Sequence, residues 1–207
     1  MTARFDHLVF TTPDLGAAVT DLAARGVVLS AGGAHVGLGT RNLLADLGDG
    51  GYLEVVGPDR DQDEPVRPRM FGIDTRSGSG VVTWAVRVDD VDAAVERARA
   101  AGYDPGSPVS MSRRRADGVL LTWRLAVPDL GTDVVPFLIE WGDTPHPSTS
   151  AVRGARLVSL VATHPDPDLI RRRLDALGVE LDVVAGVRPT LSALIDTAEG
   201  EVVLPCA

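Results

Sequence analysis

Three ionisable side chains interrupt runs that are otherwise apolar: His7 in PheAspHisLeuValPhe, Glu54 in TyrLeuGluValVal and Glu140 in PheLeuIleGluTrp. Burying such a group without a partner is costly, so each asks for another polar group, a bound cation or a substrate. An imidazole and two carboxylates turned into one hollow could hold a divalent ion and leave coordination positions open for a substrate. The metal would then polarise a carbonyl or enediolate oxygen, and Glu54 or Glu140 would take a proton from the adjacent carbon. An apolar hollow raises the pKa of such a carboxylate and a neighbouring cation lowers it. Each residue also has a plain reading: His7 as a satisfied core histidine, Glu54 as an edge-strand carboxylate facing water, Glu140 as the partner of a nearby Arg.

The elements that must position them come from a repeat. Asp14, Ala17, Ala18, Val19 and Gly26 recur without a gap as Asp90, Ala93, Ala94, Val95 and Gly102, 76 residues on. A second step puts Pro13, Asp14, Leu22, Gly26 and Val27 on Pro165, Asp166, Leu174, Gly178 and Val179. Each copy opens on an apolar run suited to a buried strand, then an Asp that starts a helix, then helical spacing such as Leu15, Ala18, Val19 and Leu22. Gly26, Gly102 and Gly178 follow where the chain needs positive φ. Strand-like segments separated by Gly and Asp come next, giving a βαβββ unit. The expected organisation is module one over 1–58, a connector over 59–80, module two over 81–142, a connector over 143–155, and a shortened βαβββ-like module three over 156–207. Strand alternation puts His7 on one face with Phe5 and Val9, and Leu8 and Phe10 on the other, toward the helix.

Composition narrows the function. A net charge of -9 argues against a nucleic-acid partner, because such affinity comes from a basic surface that releases counterions. The arginine runs 113–115 and 171–173 are the basic clusters, and the second reads as the wet face of a helix. The AspArgAspGlnAspGlu stretch at 59–64 reads as a solvated loop. One cysteine, Cys206, implies neither a disulfide within the chain nor an oxidising compartment. With no leader-like start and no long apolar run, the chain reads as cytoplasmic, with no membrane partner. Neither a phosphate-cradling glycine loop nor a CxxC, HExxH or GxSxG motif is present.

The tandem βαβββ pattern, the strand-borne His7, and Glu54 and Glu140 closing their modules resemble the vicinal oxygen chelate superfamily, and within it the glyoxalase-like domain proteins. His35, GlyThrArgAsn at 39–42 and TyrLeuGlu at 52–54 fit that group. So do AspGlyValLeuLeuThrTrp at 117–123, PheLeuIleGluTrp at 137–141 and the following His146 and Pro147. The resemblance implies an α+β fold whose tandem modules form a curved, cup-like mixed sheet with helices on the outer face, and a shortened third module. It further implies a metal held by the first and last strands of each module, with a small oxygenated molecule bound between modules one and two. The ligands would be His7, Glu54 and Glu140, and the ion zinc, iron, manganese, magnesium or nickel; Thr83 stands where a second His would, and a hydroxyl is a poorer ligand. His35, Thr40, Asn42, Thr83, Arg115 and Trp123 would line the substrate site. The activity expected is that of a lyase, isomerase or dioxygenase. The alternative is a metal-free, drug-sequestering protein of the same fold, with Trp84, Trp123 and Trp141 as stacking surfaces. A cup filled by side chains would leave only an association role. Open strand edges in module three could dock on a second copy, giving a homodimer.

Overall fold

The computed structural model describes residues 3–115, 118–128 and 134–206; Asp117, which opens one of the motifs above, lies outside them. Module one supplies β1 (Arg4–Thr11), α1 (Leu15–Ala23), β2 (Ser30–His35), β3 (Thr40–Gly48) and β4 (Gly51–Pro58). Module two repeats the order with β5 (Gly80–Arg87), α2 (Val91–Ala100), β6 (Val109–Arg115), β7 (Leu120–Ala126) and β8 (Phe137–Glu140). The remainder forms β9 (Ala155–His164), α3 (Pro167–Leu177), β10 (Asp182–Ala185), β11 (Thr190–Thr197) and β12 (Gly200–Leu204). Asp14, Asp90 and Asp166 each accept the backbone N–H three residues on, so the repeated Asp is the cap of all three helices. The αL glycine after α3, Gly178, has φ 68.

Each module is a four-stranded sheet in which the first and last strands run parallel: β1 beside β4, and β5 beside β8. The two sheets join twice, β1 against β5 and β2 against β6, both antiparallel. The expected cup thus closes into an eight-stranded barrel of order β1-β4-β3-β2-β6-β7-β8-β5. A closed barrel leaves no free edges among these strands. The last segment forms a separate sheet of order β10-β9-β11-β12, in which the parallel neighbour of β9 is β10. It lies along the barrel through contacts of β9 with β3 and of β11 with β5, and Val81 donates to the Pro205 carbonyl at 2.7 Å.

Alternation along the strands divides the apolar residues into two layers. Leu8, Phe10, Leu53, Val55, Val86 and Leu138 face outward against Ala18 and Leu22 of α1 and Val91, Val95 and Ala98 of α2. Val9, Tyr52, Val56, Phe137, Ile139 and Trp141 face into the barrel. Phe5 departs from the face expected of it. The β1–β5 register slips between Phe5 and His7, leaving Asp6 as the extra residue of a β-bulge, so Phe5 turns outward onto Trp84 with ring centroids 6.4 Å apart.

The first connector is more than a solvated loop. Asp59 is buried and accepts from Gln62 and from the Asp61 backbone, and a 3-10 turn, Met70–Thr75, packs Ile73 and Phe71 against the inner layer of the barrel. Phe71 in that turn has φ 60, a left-handed conformation unusual for a bulky side chain. Among the described residues, no helix is long and apolar enough to cross a membrane.

Candidate functional site

The inner face of the barrel holds a cavity lined from both modules. Module one contributes His7, His35, Thr40, Asn42, Tyr52 and Glu54. Module two contributes Met111, Arg113, Trp123, Phe137 and Trp141, and the connector adds Met70, Phe71 and Ile73.

His7 is fixed from behind. The bulge turns Asp6, fully buried, toward the barrel interior, where its Oδ1 lies 2.6 Å from His7 Nδ1. Its Oδ2 accepts from Trp141 Nε1 at 3.1 Å and lies 2.8 Å from His146 Nε2. Burial alone would raise the Asp6 pKa, but the hydrogen bonds from His146 and His7 and their charges outweigh it and hold the carboxyl well below the usual carboxylate range. An ionised Asp6 accepts from both rings, so Nδ1 of His7 carries a proton and Nε2 points into the cavity. The ring stacks on Tyr52 at 4.6 Å and meets the edge of Phe137 at 5.4 Å.

Glu54 sits opposite. Its Oε2 is 3.7 Å from His7 Nε2 and its Oε1 is 3.6 Å from His35 Nε2, and Oε1 accepts from the Asn42 amide. Desolvation works to raise its pKa; the hydrogen bonds of His35 and Asn42 and the charges of the two imidazoles win, and the carboxyl is lowered to about 2. Tyr52, caught by burial and by the charges of Asp6 and Glu54, has its pKa raised well above normal and stays a neutral phenol. Thr40 Oγ1 fixes the other nitrogen of His35 at 2.9 Å. Arg113 Nη1 donates to Asn42 Oδ1 at 3.0 Å, so the amide accepts from a cation and donates to an anion.

This bridge passes over Gly32. A Cβ there would lie 2.0 Å from Asn42 Oδ1 and 2.6 Å from Arg113 Nη1. Gly32→Ala is expected to break the bridge and cost about 1–3 kcal/mol by overpacking. A thermal melt should then fall by roughly 2–12 °C, and an unchanged melt would show that the bridge has room to shift.

The structure brings His7, Glu54, His35, Thr40, Asn42 and Trp123 to one hollow, and sets three other candidates apart. Glu140 lies on the outward face of β8, where Oε2 accepts the Val91 N–H at the start of α2 at 2.9 Å and lies 3.8 Å from Arg124. That is where a helix dipole favours a carboxylate. Thr83 is half-buried opposite Val9 and Arg115 pairs with Gly33 on β2; neither lines the cavity. Trp84 faces outward and donates to the Val134 carbonyl. His146, in the connector after β8, is a partner of Asp6. Sequence reasoning missed Asp6, Arg113, Tyr52, Phe137 and His146 as members of this constellation.

The ligand set implied for a divalent ion does not fit. Val9 faces Glu54 across β1 and β4, and Ala85, its counterpart in the repeat, faces Phe137 across β5 and β8. Phe137 therefore stands where Glu54 does and Thr83 where His7 does, so module two offers neither carboxylate nor imidazole. Glu54 Oε1 is already taken by Asn42, and among the described residues no three His, Cys, Asp or Glu side chains are grouped to hold an ion.

A family model for the glyoxalase-like domain matches residues 5–178. A hypothetical protein from Staphylococcus aureus superposes over 95% of this chain and 92% of its own, with TM-score 0.74 and 14% identity, a likeness of fold. Methylmalonyl-CoA epimerase from Mycobacterium tuberculosis is 22% identical over 71% of this chain and 91% of its own, with TM-score 0.44. A xylose isomerase-like TIM barrel/4-hydroxyphenylpyruvate dioxygenase fusion protein, 18% identical, covers 93% of this chain and 30% of its own at TM-score 0.48. No curated protein matches the sequence.

Proposed function

Because this chain belongs to the glyoxalase-like domain family of the vicinal oxygen chelate superfamily, we propose that its barrel takes a small carbonyl compound between modules one and two and moves a proton at the carbon beside the carbonyl. His7 is the base in this reading, and no metal takes part in the step. The observation that carries it is the line Asp6, His7, Glu54, with the proton-bearing nitrogen of the imidazole held by one carboxylate and the other nitrogen facing the cavity.

In the step, the C–H bond breaks, its electron pair moves onto the carbonyl oxygen as an enolate, and the proton goes to His7 Nε2. Asp6 holds the tautomer that keeps Nε2 free, and stabilises the imidazolium that forms. Glu54 Oε2, 3.7 Å from Nε2, adds a second negative charge beside that cation. With its own pKa lowered to about 2, Glu54 is the weaker base of the two and serves as counter-charge. Delivery of a proton to the opposite face of the same carbon gives epimerisation, delivery to the neighbouring carbon of an enediolate gives isomerisation, and loss of a leaving group from the enolate gives a lyase.

The test is deuterium incorporation at C3 of 4-phenyl-2-oxobutanoate in deuterated buffer, followed by NMR, with protein stripped by a chelator and assayed for metal. Incorporation faster than in buffer by the stripped protein is the expected result. A rate equal to buffer, or one that appears only when a divalent ion is added, overturns the reading.

A further inference from the structure

We infer that the cavity selects a small monocarboxylate with an apolar body, and that Arg113 is the group that recognises the carboxylate. This rests on the reading of the cavity as a small-molecule site, but not on the chemistry assigned to His7.

Arg113 is 2% exposed, yet among the described residues its guanidinium makes one hydrogen bond, Nη1 to Asn42 Oδ1. Among the described residues its other nitrogens have no hydrogen-bond partner in the protein, yet none of them is among the sealed polar atoms left unsatisfied. They open onto the cavity that Arg113 lines. Glu54, the acid whose charge acts most on Arg113, is bridged to it through Asn42, which accepts from one and donates to the other. Burial disfavours the charge on Arg113, and Glu54 restores part of it through space. A guanidinium so placed presents a planar fork of donors to whatever enters, which is the geometry a carboxylate matches with two parallel hydrogen bonds.

The rest of the ligand follows from the other walls. Phe71, Phe137, Trp123, Trp141, Met111 and Ile139 surround the space with aromatic and aliphatic surface, which favours an apolar body. Glu54, ionised in the same cavity, repels a second negative charge, so dicarboxylates and phosphate esters are disfavoured.

Trp123 and Trp141 line the cavity and make binding visible by tryptophan fluorescence, with calorimetry as the independent readout. The probes are phenylacetate and its uncharged isostere phenylacetamide at neutral pH. The wild-type protein should bind the acid at least tenfold more tightly than the amide. Arg113→Gln should abolish that preference while holding the amide within about threefold of wild type, with circular dichroism confirming the fold. Binding is read without turnover, which separates failure of this inference from failure of the proton-transfer reading. Should Arg113→Gln not fold, Arg113→Lys carries the test: its ammonium cannot present the fork, and the preference should fall at least threefold. Equal affinities in the wild type, binding of neither probe, or a preference that survives the Arg113 substitution overturns the inference.

Discussion

Asp6→Ala is expected to lower the stability of the protein by about 3–5 kcal/mol, a melting decrease of roughly 6–20 °C. The carboxylate is fully buried and gathers His7 Nδ1, His146 Nε2 and Trp141 Nε1 around it. Removing it strands all three, and it also removes the carboxylate 3.9 Å from Arg87 Nε, which has no hydrogen-bond partner among the described residues. The pH dependence gives a second signature. Asp6 has a folded-state pKa depressed below its unfolded value, so its contribution is fully present above about pH 4 and is lost as the pH falls toward the folded value. The gap between wild type and Asp6→Ala should therefore narrow on acidification. Chemical denaturation at a series of pH values measures this, and a gap that stays constant from pH 7 to pH 3 would show that Asp6 contributes packing rather than charge.

His7→Gln should slow the proposed proton transfer by about 10²–10⁴-fold, the range a positioned acid–base group supplies. Asp6→Asn should cost nearly as much while preserving side-chain size. An amide at that position donates as readily as it accepts, so it can turn the imidazole to the tautomer whose proton sits on Nε2, facing Glu54 and unable to act as base. Deuterium exchange with each folded variant reads both effects. Full activity in Asp6→Asn would remove Asp6 from the tautomer argument, and full activity in His7→Gln would move the base elsewhere in the cavity.

Much of this architecture is visible in the chain because its markers are local. Asp14, Asp90 and Asp166 cap helices by a rule that needs only the next three residues, and Leu8, Phe10 and Val9 sort into outer and inner layers by simple alternation. His7 and Glu54 stand out because charge inside an apolar run is rare. What could not be read depends on register. One inserted residue at Asp6 turns a side chain that alternation would send outward toward the buried constellation. Glu140 lies in as apolar a run as Glu54, but inward positions on β8 are Phe137 and Ile139, which puts Glu140 on the helix side. Arg113 is the first of three identical residues, and only the pairing of β6 with β2 and β7 separates the inward arginine from Arg114, whose Nη1 donates to the Gly118 carbonyl at the surface.

The two seams of the barrel bear on the ancestry of the chain. Half of it, one βαβββ unit, could enclose a hollow only by meeting a second copy, and a pair of identical copies would carry every inward residue twice. Once both halves travel on a single polypeptide, that enforced duplication ends. The counterpart of His7 is free to become Thr83 and that of Glu54 to become Phe137, so one half keeps the imidazoles and the carboxylate while the other supplies Arg113 and an aromatic wall. The lopsidedness of the hollow is what carrying both halves on one polypeptide permits, and it lets the two ends of one guest molecule meet different surroundings.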